Sequence, residues 1–509
     1  SEMCIRDRSM REGAYDTTVV IIGTGFSGMA AAIALERAGI GDFTLLEKAK
    51  DIGGTWRDNQ YPGSCCDVPS HLYSFSFEPN PGWSRRFSPA PEIHDYQRQV
   101  MRSYDLCDRV RGGFEVATAE FHDGGWTLCS TRGETIRTRF LISATGALHL
   151  PNKPDFEGLE RFRGKLMHSA EWDPDYDWAG RKTVVIGSAA SAVQIVPKLA
   201  KTAARVSVMQ RTPNWFLPRK DRAISGIERD LFRNLPLVQR LFRWRQYAFN
   251  DFLFRANFLQ RSSLRKWYVH RLARRHLERT VNDPELRGKL TPDYPVGCKR
   301  VLLSDDFLPA LLRDNVDLVT DSVERFTETG LVTAAGQAIE ADLVVLATGF
   351  KTMRLFGDME ITGPGGLGMD QAWKEEIRAH RTVAVKGFPN FFVMYGPNSN
   401  LGHSSIILML EAQAGYIARL LKHAADGGHG VVEVLPQAEE AWNRYVQEGL
   451  AQTVWAGGCR SWYKDSKGHV FSLWPHGTTR FMREMRHAPL DEYRFSPPAG
   501  LDQTDSGLQ

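Results

Sequence analysis

Two short turns in this sequence carry the residue types needed to hold the pyrophosphate of a dinucleotide. The first is Gly23-Thr24-Gly25-Phe26-Ser27-Gly28, which follows the apolar run Val19-Val20-Ile21-Ile22 and leads into a small-residue stretch from Met29 to Ala38. Gly23 allows a tight turn, Gly25 lets the backbone approach a pyrophosphate, and Gly28 lets a helix pack close to a sheet. The helix start, with Phe26 and Ser27, offers free N–H groups and a positive dipole end to the phosphate. A second apolar run, Phe43 to Leu46, ends at Glu47, whose carboxylate can accept the hydrogen bonds of an adenosine ribose. G-x-G-x-x-G between a strand and a helix, about 20–25 residues ahead of a terminal acid, is a dinucleotide-binding fingerprint.

The second turn is Gly187-Ser188-Ala189-Ala190-Ser191-Ala192. It follows a predicted strand, Lys182 to Ile186, and opens a predicted helix that runs toward Leu199. Alanine replaces the middle and last glycines, and Gly187, Ser188, Ala189 and Ser191 are the candidate phosphate contacts. The next strand, Arg205 to Met209, is followed by Gln210-Arg211-Thr212 rather than by an acid. An acid there would repel a 2′-phosphate, whereas arginine pairs with it. The pattern points to NADP rather than NAD, with Arg211 and Thr212 at the phosphate.

Three longer motifs lie outside these turns. Residues 162–172 read F-x-G-x-x-x-H-x-x-x-W, from Phe162 through His168 to Trp172. Gly53-Gly54-Thr55-Trp56, Tyr61-Pro62-Gly63 and Asp67 form the second, and Tyr294-Pro295-Val296-Gly297-Cys298-Lys299-Arg300 the third. On these motifs the chain resembles the type I Baeyer–Villiger monooxygenases, class B flavoproteins similar to flavin-containing monooxygenases, from Tyr15 to about Phe481.

The resemblance implies FAD at the first turn and NADPH at the second, with a ketone and O2 as substrates. One oxygen atom would be inserted next to the carbonyl, through a flavin C4a-peroxide, to give an ester or lactone. It implies Arg300 and Asp67 as the catalytic pair. A guanidinium stays charged and can stabilise the peroxide anion and the tetrahedral adduct, while a carboxylate holds it in place. It further implies Thr55, Trp56, Asp67, Tyr73 and Val116 as flavin-side contacts. Lys299 would be a second cation at the 2′-phosphate, and Trp462 a mobile-loop residue touching the nicotinamide cofactor. For His168 it implies a role in organising the link between domains rather than in chemistry.

Tyr463 to Gly468 departs from the cyclohexanone-oxidising pattern, so linear, cyclic and aryl ketones stay open. Pro397 to Ser404 precedes an apolar helix from Ile406 and could set backbone N–H groups near the isoalloxazine, with His403 in a structural role. The alternatives are an amine- or sulfide-oxygenating flavin-containing monooxygenase, a disulfide or quinone reductase, and a non-catalytic nucleotide-binding protein. The adjacent Cys65 and Cys66, expected as free thiols, are not the spaced pair a disulfide reductase uses.

Placing these residues requires an α/β fold with two Rossmann-like dinucleotide-binding domains, one inserted in the other, and an α-helical insertion. Two apolar runs end in Ala144-Thr145-Gly146 and Ala347-Thr348-Gly349. The crossings between domains are expected at Gly146–Pro151 and Gly349–Phe388. The expected division is a non-native leader over 1–9, FAD-binding segments over 10–150 and 385–494, and NADPH-binding segments over 151–221 and 291–384, the last including the crossing. Residues 222–290 form the helical insertion and 495–509 a flexible tail. Within 222–290, Arg, Phe, Trp and Leu at three- and four-residue spacing predict amphipathic helices. A helical subdomain with a solvated basic face is expected, contact with anionic lipid being the alternative.

Composition bounds the rest. The chain has 509 residues, 42% hydrophobic and 24% charged, which suits two to four ordered domains. With 64 basic and 60 acidic residues, the near-balance argues against a dedicated nucleic-acid binder and leaves local charged patches open. Seven cysteines without a C-x-x-C pair exclude a zinc ribbon, and no metal site is expected. Their scatter fits a reducing, cytoplasmic location. No apolar run is long enough for a spanning helix. The oligomeric state is not indicated.

Overall fold

The computed structural model describes residues 15–254, 263–457, 461–465 and 467–498. The leader over 1–9 lies outside the described residues, as does most of the tail.

Val19, Val20 and Ile21 are fully buried because their strand, Thr17–Ile22, has a core on each face and parallel neighbours on both sides. These are Phe43–Glu47 and Thr135–Ser143. Beyond Thr135–Ser143 the sheet continues antiparallel through Gly125–Ser130 and Val116–His122, to which Glu360–Thr362 adds in parallel. Val110–Gly112 forms the other edge, and Phe391–Val393 also pairs with Thr135–Ser143. Helices Phe26–Arg37 and Ile406–Asp426 cover one face, with Met29, Ile33, Ile407 and Ile417 in a single core.

The second sheet has five parallel strands in the order Val316–Val319, Arg205–Met209, Lys182–Ile186, Leu343–Leu346, Lys165–His168. Helix Ala190–Leu199 packs on one face through Val193, Ile195 and Val196. A three-stranded antiparallel sheet covers the other, with Phe326 and Leu331 against Val184 and Val344. All five strands fall between two parts of the first sheet in chain order, so the second unit is inserted in the first.

Two expectations need correction. The strand Glu360–Thr362 belongs to the first sheet, where Ile361 pairs with Ala119 and is buried. The chain is therefore back in the first unit well before residue 384. Residues 495 and 496 are not tail: they lie in strand Tyr493–Ser496, paired antiparallel with Val431–Val434. Cys65 and Cys66 are free, as expected of the adjacent pair, and so is Cys107.

Between the parts of the second unit come helices Gly226–Asn234, Pro236–Ala248, Ser263–Thr280 and Pro284–Leu290. Helix Pro236–Ala248 is inverted relative to ordinary amphipathic packing. Its buried residues are Gln239 and Arg243, while Leu237, Leu241 and Trp244 are 68%, 58% and 64% exposed. The cause is the irregular backbone beneath it. Arg243 donates from Nη1 to the His71 carbonyl at 2.6 Å and to Ser74 Oγ at 3.0 Å, and Gln239 donates to the Asn80 carbonyl at 2.8 Å. Buried carbonyls need donors, and this helix supplies them. The face left to solvent is thus apolar and basic together, not simply basic.

Candidate active site and nucleotide sites

The first turn is built by two close backbone approaches. The Gly23 N–H donates to the Leu46 carbonyl at 2.8 Å, and a Cβ on Gly23 would stand 2.6 Å from the Ala144 carbonyl oxygen. A Cβ on Gly28 would stand 1.9 Å from the Gly23 oxygen, so helix and turn touch at main-chain distance. Gly25 is different. A Cβ there would meet nothing nearer than the Gly54 Cα at 3.9 Å. Packing does not demand a glycine at 25, whereas the approach of a phosphate does. Gly25 caps helix Phe26–Arg37 with no side-chain hydrogen bond, which leaves the first amides, those of Phe26, Ser27 and Gly28, for an anion.

Glu47 is buried beside this turn. Its Oε2 accepts from Thr24 N at 3.2 Å and Thr24 Oγ1 at 2.6 Å, and its Oε1 from Ala49 N at 3.0 Å and Arg57 Nη1 at 2.9 Å. A ribose hydroxyl reaching Glu47 must share it with Arg57, which sequence reasoning did not single out. Thr55 and Trp56 open the short helix Thr55–Asp58, and Trp56 Nε1 donates to Tyr73 Oη at 3.1 Å. The Tyr73 ring meets Phe26 edge-on at 5.5 Å. Val116 is buried in the core that holds Leu46. These residues gather around one end of the first sheet. Gln97, also missed, is fully buried beside Gly53, and neither amide atom has a hydrogen-bond partner among the described residues. An orphaned buried amide at this turn fits a bound polar group.

The second turn repeats the first. The Gly187 N–H donates to the Met209 carbonyl at 3.0 Å, and a Cβ on Gly187 would lie 2.4 Å from the Ala347 oxygen. Ala189 caps helix Ala190–Leu199, again with no side-chain hydrogen bond, and Ser191 lies in its first turn. Ser188 Oγ donates to the Thr212 carbonyl at 3.3 Å, and Asn214 Nδ2 to the Ser188 carbonyl at 2.9 Å. Lys299 sits over the Tyr294 ring at 4.7 Å. Burial, and then the charge of Arg211, hold the Lys299 ammonium below the ordinary lysine range. Two cations that oppose each other's charge suit a dianionic phosphate between them.

Between the two turns, Arg300 Nη2 donates to Asp67 Oδ2 at 2.5 Å across 233 residues of sequence. Asp67 follows the Tyr61–Gly63 loop of the first unit. Arg300 precedes the short strand Leu302–Leu303, which pairs with Phe216–Leu217. Asp67 raises the Arg300 pKa above its already high value, so the guanidinium is permanently charged. Two phenols missed by sequence reasoning feel the same cation. Burial pushes the Tyr463 hydroxyl up to about 12 and raises that of Tyr395, while Arg300 pulls both the other way. Both stay neutral donors at physiological pH. Tyr395, Trp462, Thr352, Leu355 and Asn400 line an adjoining open cleft. Trp462 is 39% exposed and leans on Tyr463, ring centroids 4.6 Å apart.

Gln194, on the helix of the second turn, anchors the Asp67 loop: it accepts from Tyr61 Oη at 2.9 Å and donates to the Cys65 carbonyl at 3.0 Å. His168 accepts from the Ala170 N–H at Nδ1, 3.1 Å away, which leaves its Nε2–H to donate to the Gly349 carbonyl at 3.0 Å. Burial lowers its pKa, which favours that neutral form. His168 thus pins the return crossing and is remote from the Arg300 pair in its bonding. His403 Nε2 pairs with Asp251 Oδ1 at 3.1 Å. Among the described residues no cluster of His, Cys, Asp or Glu could hold a metal ion, and no helix is long and apolar enough to cross a membrane.

Two phosphate turns flanking an arginine–aspartate pair define a two-dinucleotide oxidoreductase. The pyridine nucleotide-disulphide oxidoreductase family model matches residues 20–235. A Baeyer–Villiger monooxygenase of Streptomyces coelicolor is 43% identical over 94% of this chain and 93% of its own length. Another, from Pseudomonas aeruginosa, is 39% identical over 94% and 91%. Among solved structures, an oxidised steroid monooxygenase bound to NADP superposes with a TM-score of 0.85 at 26% identity, covering 95% of this chain and all of the other. The complex of OTEMO with FAD and NADP gives the same values. The chain belongs to the Baeyer–Villiger monooxygenase family.

Proposed function

We infer that this protein is an FAD- and NADPH-dependent Baeyer–Villiger monooxygenase. It inserts one atom of O2 next to a ketone carbonyl to give an ester or lactone. NADPH supplies the two electrons, and the second oxygen atom leaves as water. Bound flavin supplies the reactivity toward oxygen; the chain supplies binding, orientation and charge.

The Arg300–Asp67 pair carries this reading. Its guanidinium is fixed by a carboxylate, stays cationic at any working pH, and lies beside Tyr395 and Tyr463. A fixed cation there stabilises negative charge that develops as the carbonyl is attacked. Tyr395 borders the cleft as a neutral hydrogen-bond donor, and Trp462 lines it with Tyr463 packed behind. We assign Gly23, Gly25, Phe26, Ser27, Gly28, Glu47, Thr55, Trp56, Tyr73 and Val116 to the FAD site. Gly187, Ser188, Ala189, Ser191, Arg211, Thr212 and Lys299 go to the NADPH site. The FAD-binding unit is assigned to the first sheet and its helices, and the NADPH-binding unit to the five-stranded sheet.

The test is Arg300→Ala. The variant should keep the yellow flavin spectrum and lose ester formation by about 100-fold or more, in line with removal of a charge-stabilising donor. Normal turnover of ketones by that variant would remove Arg300 from the mechanism. A panel of ketones and sulfides with NADPH and isotopic O2, read by mass spectrometry, then separates carbon–carbon insertion from sulfur oxygenation.

A further inference from the structure

The outward face of helices Gly226–Asn234 and Pro236–Ala248 has no function in the chemistry above. Ile227, Leu231, Leu235, Leu237, Leu241 and Trp244 are exposed there by 84%, 42%, 52%, 68%, 58% and 64%. Scattered exposed apolar residues need no explanation, but six within eighteen residues, on two helices in contact and the residue that joins them, form a patch. Leu237, Leu241 and Trp244 follow i, i+4, i+7 spacing and share one side of their helix. The inversion is specific: the same helix buries a charged and a polar side chain and leaves its leucines in water.

Charge surrounds the patch. Residues 226–280 hold 13 Lys or Arg against 4 Asp or Glu, whereas the rest of the chain holds 51 against 56. The basic excess of the protein is concentrated in this one segment. Helix Pro236–Ala248 carries three arginines and no acid. Arg240 and Arg245 are exposed, and neither has an acidic partner among the described residues. A symmetric contact between two copies through this face would set arginine against arginine, with no acid on the helix to relieve it. A surface that is apolar below and anionic above accepts leucine, tryptophan and arginine at once. Thirteen residues make a helix of about 20 Å, too short to span a bilayer and suited to lying in its plane.

We propose that this face docks the enzyme on an anionic lipid surface, with Leu237, Leu241 and Trp244 set among the acyl chains and Arg240 and Arg245 at the headgroups. The test is flotation of the flavin-loaded enzyme with phosphatidylcholine vesicles, with and without phosphatidylglycerol, at low and high salt. The enzyme should float with the anionic vesicles at low salt and be released at high salt. Leu241→Glu combined with Trp244→Glu should weaken binding at least tenfold. Arg240→Gln or Arg245→Gln should each weaken it about fivefold, at low salt only. All these side chains are exposed, so flavin content and turnover of a soluble ketone should match the wild type. Failure of the wild type to float with anionic vesicles overturns the proposal, as does undiminished flotation of the double variant. A dimer seen by ultracentrifugation in the wild type and lost in the double variant would give the face to a second copy instead.

Discussion

The two phosphate turns share a skeleton and differ in how tightly it is closed. In both, the leading glycine donates to the carbonyl at the end of the neighbouring strand, and a main-chain carbonyl of an Ala-Thr-Gly segment blocks the space a side chain would take. In the first turn the helix also presses Gly28 onto the turn itself. In the second, Ala192 takes that position and its methyl is fully buried in the core. The first unit therefore has no room for a Cβ where the second has a packed one. The strand after the first turn ends in a carboxylate, and the strand after the second is followed, two residues on, by a guanidinium. On the proposed reading, the common geometry provides for the pyrophosphate and the charge after each strand selects the rest of the nucleotide.

Several substitutions would break or sharpen this contrast. Gly28→Ala should be the most damaging, because the added methyl meets a backbone oxygen at 1.9 Å. It should destabilise the protein by about 3 kcal/mol or more and cost the flavin, read by thermal unfolding and flavin absorbance. Retention of both would mean the helix can lift from the turn, and the two units would then be equivalent.

Arg211→Ala should weaken NADPH binding by about 2 kcal/mol, some 30-fold, and leave NADH nearly untouched. Equal losses for both nucleotides would place the arginine on the shared phosphates. Ala192→Gly, the mirror of the first change, should cost only about 1 kcal/mol, the helix penalty of glycine, with no change in either nucleotide affinity.

The smallest effect is a shift in pH dependence. Lys299 must be protonated to hold a phosphate, and burial and Arg211 lower its pKa. NADPH affinity should therefore fall as pH rises, beginning below the ordinary lysine range. In Arg211→Ala the repulsion is gone, the Lys299 pKa rises, and the fall should move to higher pH. An unmoved profile would separate the two cations.

Both turns were legible because each is a contiguous run whose order, strand then glycines then helix, is itself the geometry. Glu47 and Arg211 were legible for the same reason, as the residues that end or follow the next strand. Gln97, Gln194, Tyr395 and Tyr463 carried no such signal. Each matters through residues far away in the chain that it lies beside, and a lone Gln or Tyr has no spacing to betray it. The strand Glu360–Thr362 was hidden in a glycine-rich stretch because three residues are too few for a period. The inverted helix was hidden because periodicity reports that a helix has two faces, not which of them meets the body of the protein.

Local order in the sequence therefore determined the two nucleotide units, their nesting and the sign of the charge at each strand end. Short-range steric and dipolar rules act within about thirty residues and need no tertiary knowledge. Tertiary structure alone decided that Asp67 and Arg300 meet at 2.5 Å, that the second unit's helix anchors the first unit's loop, and that leucines face water above His71. Those outcomes depend on sheet order and on which buried carbonyls are left needing donors. Such quantities exist only once strands far apart in the chain have found their neighbours.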